Sequence, residues 1–142
     1  MRLVQILLLF SLNLFLSGCD SDDHKNSLNF SAASLKQTQW KGTFDESYIE
    51  SFGEPVSTTA NAGIFFESET RGRYSLKWET MDQPTESTFE YRIEEKVLIV
   101  ENGGVLNGYW LLTQSDKDTM VLEKGTNGEG AYKGSLTLKR TS

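Results

Sequence analysis

This chain of 142 residues contains one cysteine, one histidine and two prolines. A lone cysteine, Cys19, cannot form an internal disulfide. The lone histidine, His24, lies only a few residues further on. Neither a Ser–His nor a Cys–His catalytic pair can therefore be assembled in the remainder of the chain. Metal sites need several converging ligands, so His24 reads as a solvated residue, and no metal or cofactor is expected. No phosphate-cradling glycine loop is present. Gly103-Gly104 and Asn127-Gly128-Glu129-Gly130 are hairpin glycines, not strand-to-helix turns. Glu67 with Glu69, Glu86 with Glu90, and Glu94 with Glu95 are pairs of the kind that serve acid–base chemistry or calcium, but charged side chains at such spacing ordinarily form a solvated strand face. Asp116-Lys117-Asp118 is too short for a calcium loop. The expectation is a protein that is not an enzyme. Positive charge is also scarce, with 14 basic residues against 20 acidic ones. Such an acidic chain is a poor partner for nucleic acid or an anionic lipid surface.

One long apolar run is present, and it is at the start. Arg2 precedes Leu3–Leu16, which is interrupted only by Gln5, Ser11 and Asn13. That length is too short for a spanning helix but fits the apolar region of a secretory signal. The run ends in Leu16-Ser17-Gly18-Cys19, which resembles the lipobox of bacterial lipoproteins. The resemblance implies that residues 1–18 are a cleaved signal peptide. It also implies that the Cys19 thiol carries diacylglycerol and that its new amino group is acylated, for example by palmitate. Two or three acyl chains hold a protein durably to a membrane where one does not. The alternative is an ordinary secreted protein with a free or buried cysteine. Residues 1–18 hold one of the basic residues and none of the acidic ones, so the remainder carries a formal charge of −7.

Asp20–Leu35 is rich in Asp, Ser, Asn and Lys and poor in apolar residues, so residues 19–37 read as a lipidated flexible tether. From Thr38 the pattern changes to period-two alternation broken by turn residues, and 38–142 reads as one domain. Trp40, Gly42 and Phe44 share a face of a long first strand that runs on through Tyr48-Ile49 towards Phe52. A short helix capped by Asp45 or Ser47 is the alternative there. Val56–Glu67, ending in Ile64-Phe65-Phe66, is the second strand, and Arg71-Gly72 closes a turn. Tyr74, Leu76 and Trp78 share the third face, and Phe89, Tyr91 and Ile93 the fourth. Val97–Val100 and a hairpin signal at Asn102-Gly103-Gly104 follow. Val105, Tyr109 and Leu111 then alternate with Leu106, Trp110 and Leu112, so both faces are apolar. Met120 and Leu122 mark the seventh strand, and Tyr132, Gly134, Leu136 and Leu138 the last. Eight strands joined by tight turns predict an all-β, antiparallel up-and-down barrel, which leaves no exposed edge. A two-sheet β-sandwich is the alternative. Gly42, Gly108 and Gly134 inside strands fit the bends of a small barrel.

Several segments resemble lipocalin-like lipoproteins of Bacteroidota-type envelopes. They are Trp40-Lys41-Gly42-Thr43-Phe44, Ile64-Phe65-Phe66, Gly72-Arg73-Tyr74-Ser75, Phe89-Glu90-Tyr91, Leu98-Ile99-Val100 and Leu136-Thr137-Leu138-Lys139-Arg140. True lipocalins carry Gly-x-Trp in the first strand, where this chain has Trp40-x-Gly42. The resemblance implies a barrel closed by Trp40, with Arg140 lying across its ring; the alternative is an exposed Arg140 near the chain end. Tyr74, Trp78, Tyr91, Tyr109 and Trp110 are the candidate lining for a small apolar molecule or lipid, or else they simply fill the barrel. Asp20-Ser21-Asp22-Asp23 after Cys19 also resembles the acidic signal for export to the cell surface. That places the protein in the cell envelope, on the outer membrane or the surface. Under enterobacterial-type sorting the same aspartate implies the inner membrane. The expected function is ligand binding by an anchored barrel. The alternative is an interaction module that binds or inhibits an envelope protein through its exterior and loops.

Overall fold

The structure, a computed structural model, describes residues 27–49, 53–126 and 131–142. Cys19, His24, Phe52 and Asn127–Gly130 lie outside them. Eight antiparallel strands follow one another around a closed up-and-down barrel. They are β1 (Thr38–Ile49), β2 (Pro55–Phe66), β3 (Arg71–Trp78), β4 (Thr85–Glu94), β5 (Val97–Glu101), β6 (Gly108–Ser115), β7 (Thr119–Gly125) and β8 (Tyr132–Arg140). Closure comes from β1 pairing with β8, Trp40 opposite Arg140 through Tyr48 opposite Tyr132. The sandwich and the short helix near Asp45 are both excluded, since β1 runs unbroken to Ile49.

The alternation in sequence sets which side chains enter the barrel. Trp40, Phe44, Ile64, Phe66, Tyr74, Leu76, Phe89, Tyr91, Leu98, Trp110, Met120, Leu122, Leu136 and Leu138 are all buried inside. Gly42 has a steric reason as well. A Cβ there would sit 1.8 Å from the Thr137 carbonyl oxygen, so only glycine lets β1 lie this close to β8.

The stretch read as a tether does not stay clear of the domain. Residues 28–35 pack on the barrel end, with Leu35 buried and Leu28, Phe30 and Ala32 against the core. Ser31 caps a single helical turn, α1 (Ala32–Leu35), by accepting from the Ser34 N–H. The Gln37 N–H, at positive φ, then donates to the Phe66 carbonyl at 2.6 Å and turns the chain into β1. A few apolar residues in a polar stretch are enough because the barrel end offers them an apolar floor. The chain ends at the same place, where the Gln39 N–H donates to the Ser142 carbonyl at 3.1 Å.

Two connections differ from the sequence expectation. The β2–β3 turn spans Ser68–Arg71, held by the Ser68 hydroxyl accepting from the Thr70 and Arg71 N–H groups, and Gly72 is already in β3. Val105 and Leu106 belong not to a strand but to a 3-10 turn, Gly104–Leu106, and β6 starts at Gly108. The expected positive φ occurs at Asn102 and Gly104.

Candidate functional site

Four of the five aromatics expected to line a lumen, Tyr74, Trp78, Tyr91 and Trp110, point inward, and each is packed on a phenylalanine ring. Phe44 meets Trp78 and Trp110 edge-on at 6.4 and 6.1 Å between ring centres. Phe66 meets Tyr91 at 5.0 Å, and Tyr74 meets Phe89 at 6.4 Å. Such pairs add to the stabilisation from burial. Two of them also have their polar atoms engaged. The Trp110 Nε1–H donates to the Leu106 carbonyl at 2.7 Å, and the Tyr91 hydroxyl to that of Ser68. Burial, helped by the Glu69 charge, pushes the Tyr91 hydroxyl up to about 12. Tyr109 is different. It lies on the outer face and is 68% exposed, because Trp110 holds the inward phase of β6.

Trp40 is buried at the closed end, where its Nε1–H donates to the Thr38 hydroxyl at 2.8 Å and Thr38 in turn donates to the Leu35 carbonyl. Arg140 is its backbone neighbour across the closing seam. The guanidinium does not cross the indole. Arg140 is exposed and its Nε donates to the Ser142 carbonyl at 3.1 Å. The buried ring's N–H is already satisfied by Thr38, and an exposed cation gains more from water and the Ser142 carbonyl.

The other end of the barrel is built differently, and the register shows it layer by layer. Directly paired residues share a face. Ala60, Phe44, Leu136 and Leu122 form one apolar layer across β2, β1, β8 and β7. Two residues along, the same strands supply Thr58, Glu46, Gly134 and Lys124. The next layer is Val56, Tyr48 and Tyr132. An acid and a lysine thus occupy inward positions of an otherwise apolar pattern. Gly134, between them in register, leaves the space that the Trp110 and Tyr132 rings use.

Lys124 is held from several sides. Its ammonium donates to the Asn107 carbonyl at 2.8 Å and the Val105 carbonyl at 3.1 Å. It also lies 4.7 Å from the Trp110 ring centre and 5.4 Å from that of Tyr132. Burial lowers its pKa, and the charge of Glu46 partly opposes that. The Tyr132 hydroxyl donates to Glu46 Oε2 at 3.1 Å, and burial followed by the Glu46 charge holds it protonated far above the ordinary tyrosine range.

Beside this polar layer lies an open cleft of about 450 Å³, walled by Tyr48, Ile49, Pro55, Ala131 and Tyr132 and edged by Ser47, Thr126 and Lys124. It is within the usual size range for a small-molecule site. Sequence reasoning named neither Glu46 nor Lys124. The available signal was phase, since Glu46 falls in step with Phe44 and Lys124 with Leu122. Among the described residues no cluster of three His, Cys, Asp or Glu could hold a metal ion, and no helix is long and apolar enough to cross a membrane. Comparison with protein families, curated proteins and solved structures finds no match to this chain.

Proposed function

We propose that this is a non-enzymatic, membrane-anchored binding protein that takes a small apolar molecule or lipid with a polar end. The cleft at the open end of the barrel is the binding site. The supporting observation is Lys124, which shares a register layer with Glu46 and lines the edge of a cleft walled by Tyr48, Ile49, Pro55, Ala131 and Tyr132. Placing charges on inward positions costs free energy that an all-apolar barrel would avoid. The ligand's apolar part rests on Tyr48, Ile49, Pro55 and Tyr132, and its polar end meets Lys124 and Thr126. The aromatic-filled interior serves as the platform. The anchor is the acylated Cys19, and the resemblance to a lipobox supports it. A Cys19→Ala chain is expected in the soluble rather than the membrane fraction.

Titration with laurate, dodecylamine and an uncharged C12 alcohol tests the site, read by melting temperature and by tryptophan fluorescence. At least one is expected to raise the melting temperature. Tyr48→Ala is expected to weaken that ligand about tenfold or more without unfolding the barrel. No response to any of the three, or an unchanged response in Tyr48→Ala, ends this reading.

A second reading, an interaction module, has its own observation. Val97 faces Leu111 and Ile99 faces Tyr109 on the outer side of β5 and β6, with Tyr109 and Leu111 68% and 48% exposed. Photocrosslinking from position 109 in intact envelopes is expected to give a discrete adduct if this face holds a protein partner.

A further inference from the structure

A separate feature lies on the outside of the barrel, over the closing seam. Outward residues of β4, β3, β2, β1, β8 and β7 align in register as Glu86, Ser75, Gly63, Lys41, Lys139 and Thr119, with one acid at the far end of the row from the lysines. The next row towards the plugged end begins with Arg73, Phe65 and Gln39, and the row on the other side with Lys77, Asn61, Thr43 and Thr137. Lys41 and Lys139 are both exposed and directly opposite each other. Like charges in that arrangement destabilise a sheet.

The carboxylates nearby relieve it only in part. Glu67 is engaged with Arg73, Nε to Oε1 at 3.4 Å. Asp116, whose charge is felt at Lys139, is tied to the Asp118 and Thr119 N–H groups at 2.9 Å. Cations thus collect on one face of a chain whose net charge is −6.

The surface there is also shaped. A groove of about 180 Å³ runs along Gln39, Lys41, Gly63, Phe65, Arg73 and Ser75. Gly63 is its floor, and a Cβ on Gly63 would meet nothing within 4 Å. Packing therefore does not require glycine at this position, and a glycine inside a strand weakens it. Its absent side chain instead keeps the groove open. Arg73 lies over the Phe65 ring, 5.1 Å from its centre, which fixes the guanidinium along one wall.

We propose that this groove, beyond the cleft described above, binds an acidic glycan, with Lys41 and, beside the groove, Lys139 taking its carboxylates, Gln39 and Ser75 its hydroxyls, and Arg73, held by Glu67 and Phe65, forming one wall. The chemistry favours a sugar over the other polyanions. A single-stranded nucleic acid needs free aromatic faces for its bases, and the one ring here is covered by Arg73. A lipid surface is bound by apolar side chains entering it as well as by cations, and the rows around Lys41 offer hydroxyls, amides and glycine, with Phe65 their large apolar side chain and Arg73 lying over it.

Calorimetric titration of the full chain in detergent with galacturonate hexamer tests this, with maltohexaose as the uncharged control and phosphatidylglycerol vesicles as the lipid arm. The expected result is binding of the hexamer alone, weakened by added salt. Lys41→Glu and Gly63→Leu are each expected to weaken it at least tenfold. Gly63→Leu fills the groove without altering charge, and its melting curve checks that the barrel is intact. Lys96→Glu, in the β4–β5 turn, is expected to change it less than twofold. Tyr48→Ala is expected to leave it unchanged, which separates this site from the cleft. No binding of the hexamer overturns the proposal. So do full binding by Gly63→Leu, an equal loss in Lys96→Glu, and stronger binding to the vesicles.

Discussion

The two ends of this barrel are made from the same strands and do opposite things. At the plugged end, Trp40, Phe66, Phe89 and Tyr91 are buried, and residues 28–35 are laid over them. At the open end the same alternation delivers Glu46, Lys124 and Tyr132 and leaves a cleft of about 450 Å³. One end is closed mainly by apolar contact, with Thr38 as a buried, hydrogen-bonded hydroxyl among the apolar side chains. The other is held by hydrogen bonds from a lysine to carbonyls and from a tyrosine to a carboxylate. Apolar burial is therefore concentrated at the plugged end, and buried charge and polar contacts at the open one.

The strongest way to break this comparison is at the plug. Trp40→Ala is expected to cost about 3–5 kcal/mol, as other large-to-small core changes do. Leu35→Ala is expected to cost about 2 kcal/mol or more by the same mechanism. Urea unfolding measures both. A Leu35→Ala chain as stable as wild type would mean that residues 28–35 ride on the barrel without holding it.

Alkaline titration probes both ends together. Tyr91 and Tyr132 have folded-state pKa values above the unfolded value of 10.0. The folded state therefore keeps protons that the unfolded state gives up, and their contribution is lost as pH rises above 10. Lys124 has the opposite sign. Its folded pKa is below 10.5, so the unfolded state binds more protons and stability rises with pH up to that value. Two tyrosines outweigh one lysine, so urea midpoints are expected to fall between about pH 10 and 12. Tyr91→Phe is expected to flatten that fall. A midpoint that climbs through the same range would show the open-end lysine dominating.

The smallest effect is expected at the seam. Arg140→Ala should change stability by less than about 0.5 kcal/mol, as exposed substitutions do. In a double-mutant cycle it should be additive with Trp40→Ala. Coupling above about 0.5 kcal/mol would restore a contact between guanidinium and indole.

Much of the architecture was legible in the chain. Where one phase is apolar and the other polar, as in Tyr74, Leu76 and Trp78 or Phe89, Tyr91 and Ile93, period two gave the strand and its inner face together. Where both phases are apolar, from Val105 to Leu112, alternation could not say which side faced in, and Tyr109 emerged outside. The plug was missed because Leu28, Phe30 and Leu35 lack a periodic pattern, and their burial depends on a floor that exists only after the barrel closes. The open-end site was missed for a related reason. Glu46 and Lys124 look like surface charges until the register across β1, β8 and β7 places them on inward positions.

The chain enters and leaves the barrel at one end. Gln39 in β1 bonds Ser142 and Thr141 at the carboxyl terminus, while α1 lies immediately before β1. The molecule therefore has a fixed polarity as a displayed object. A tether or fusion attached through either terminus leaves from the plugged face, and the barrel hangs with its cleft turned away from whatever holds it. A protein mounted through its amino terminus would present Tyr48, Lys124 and Tyr132 outward, at the full length of the barrel from the support.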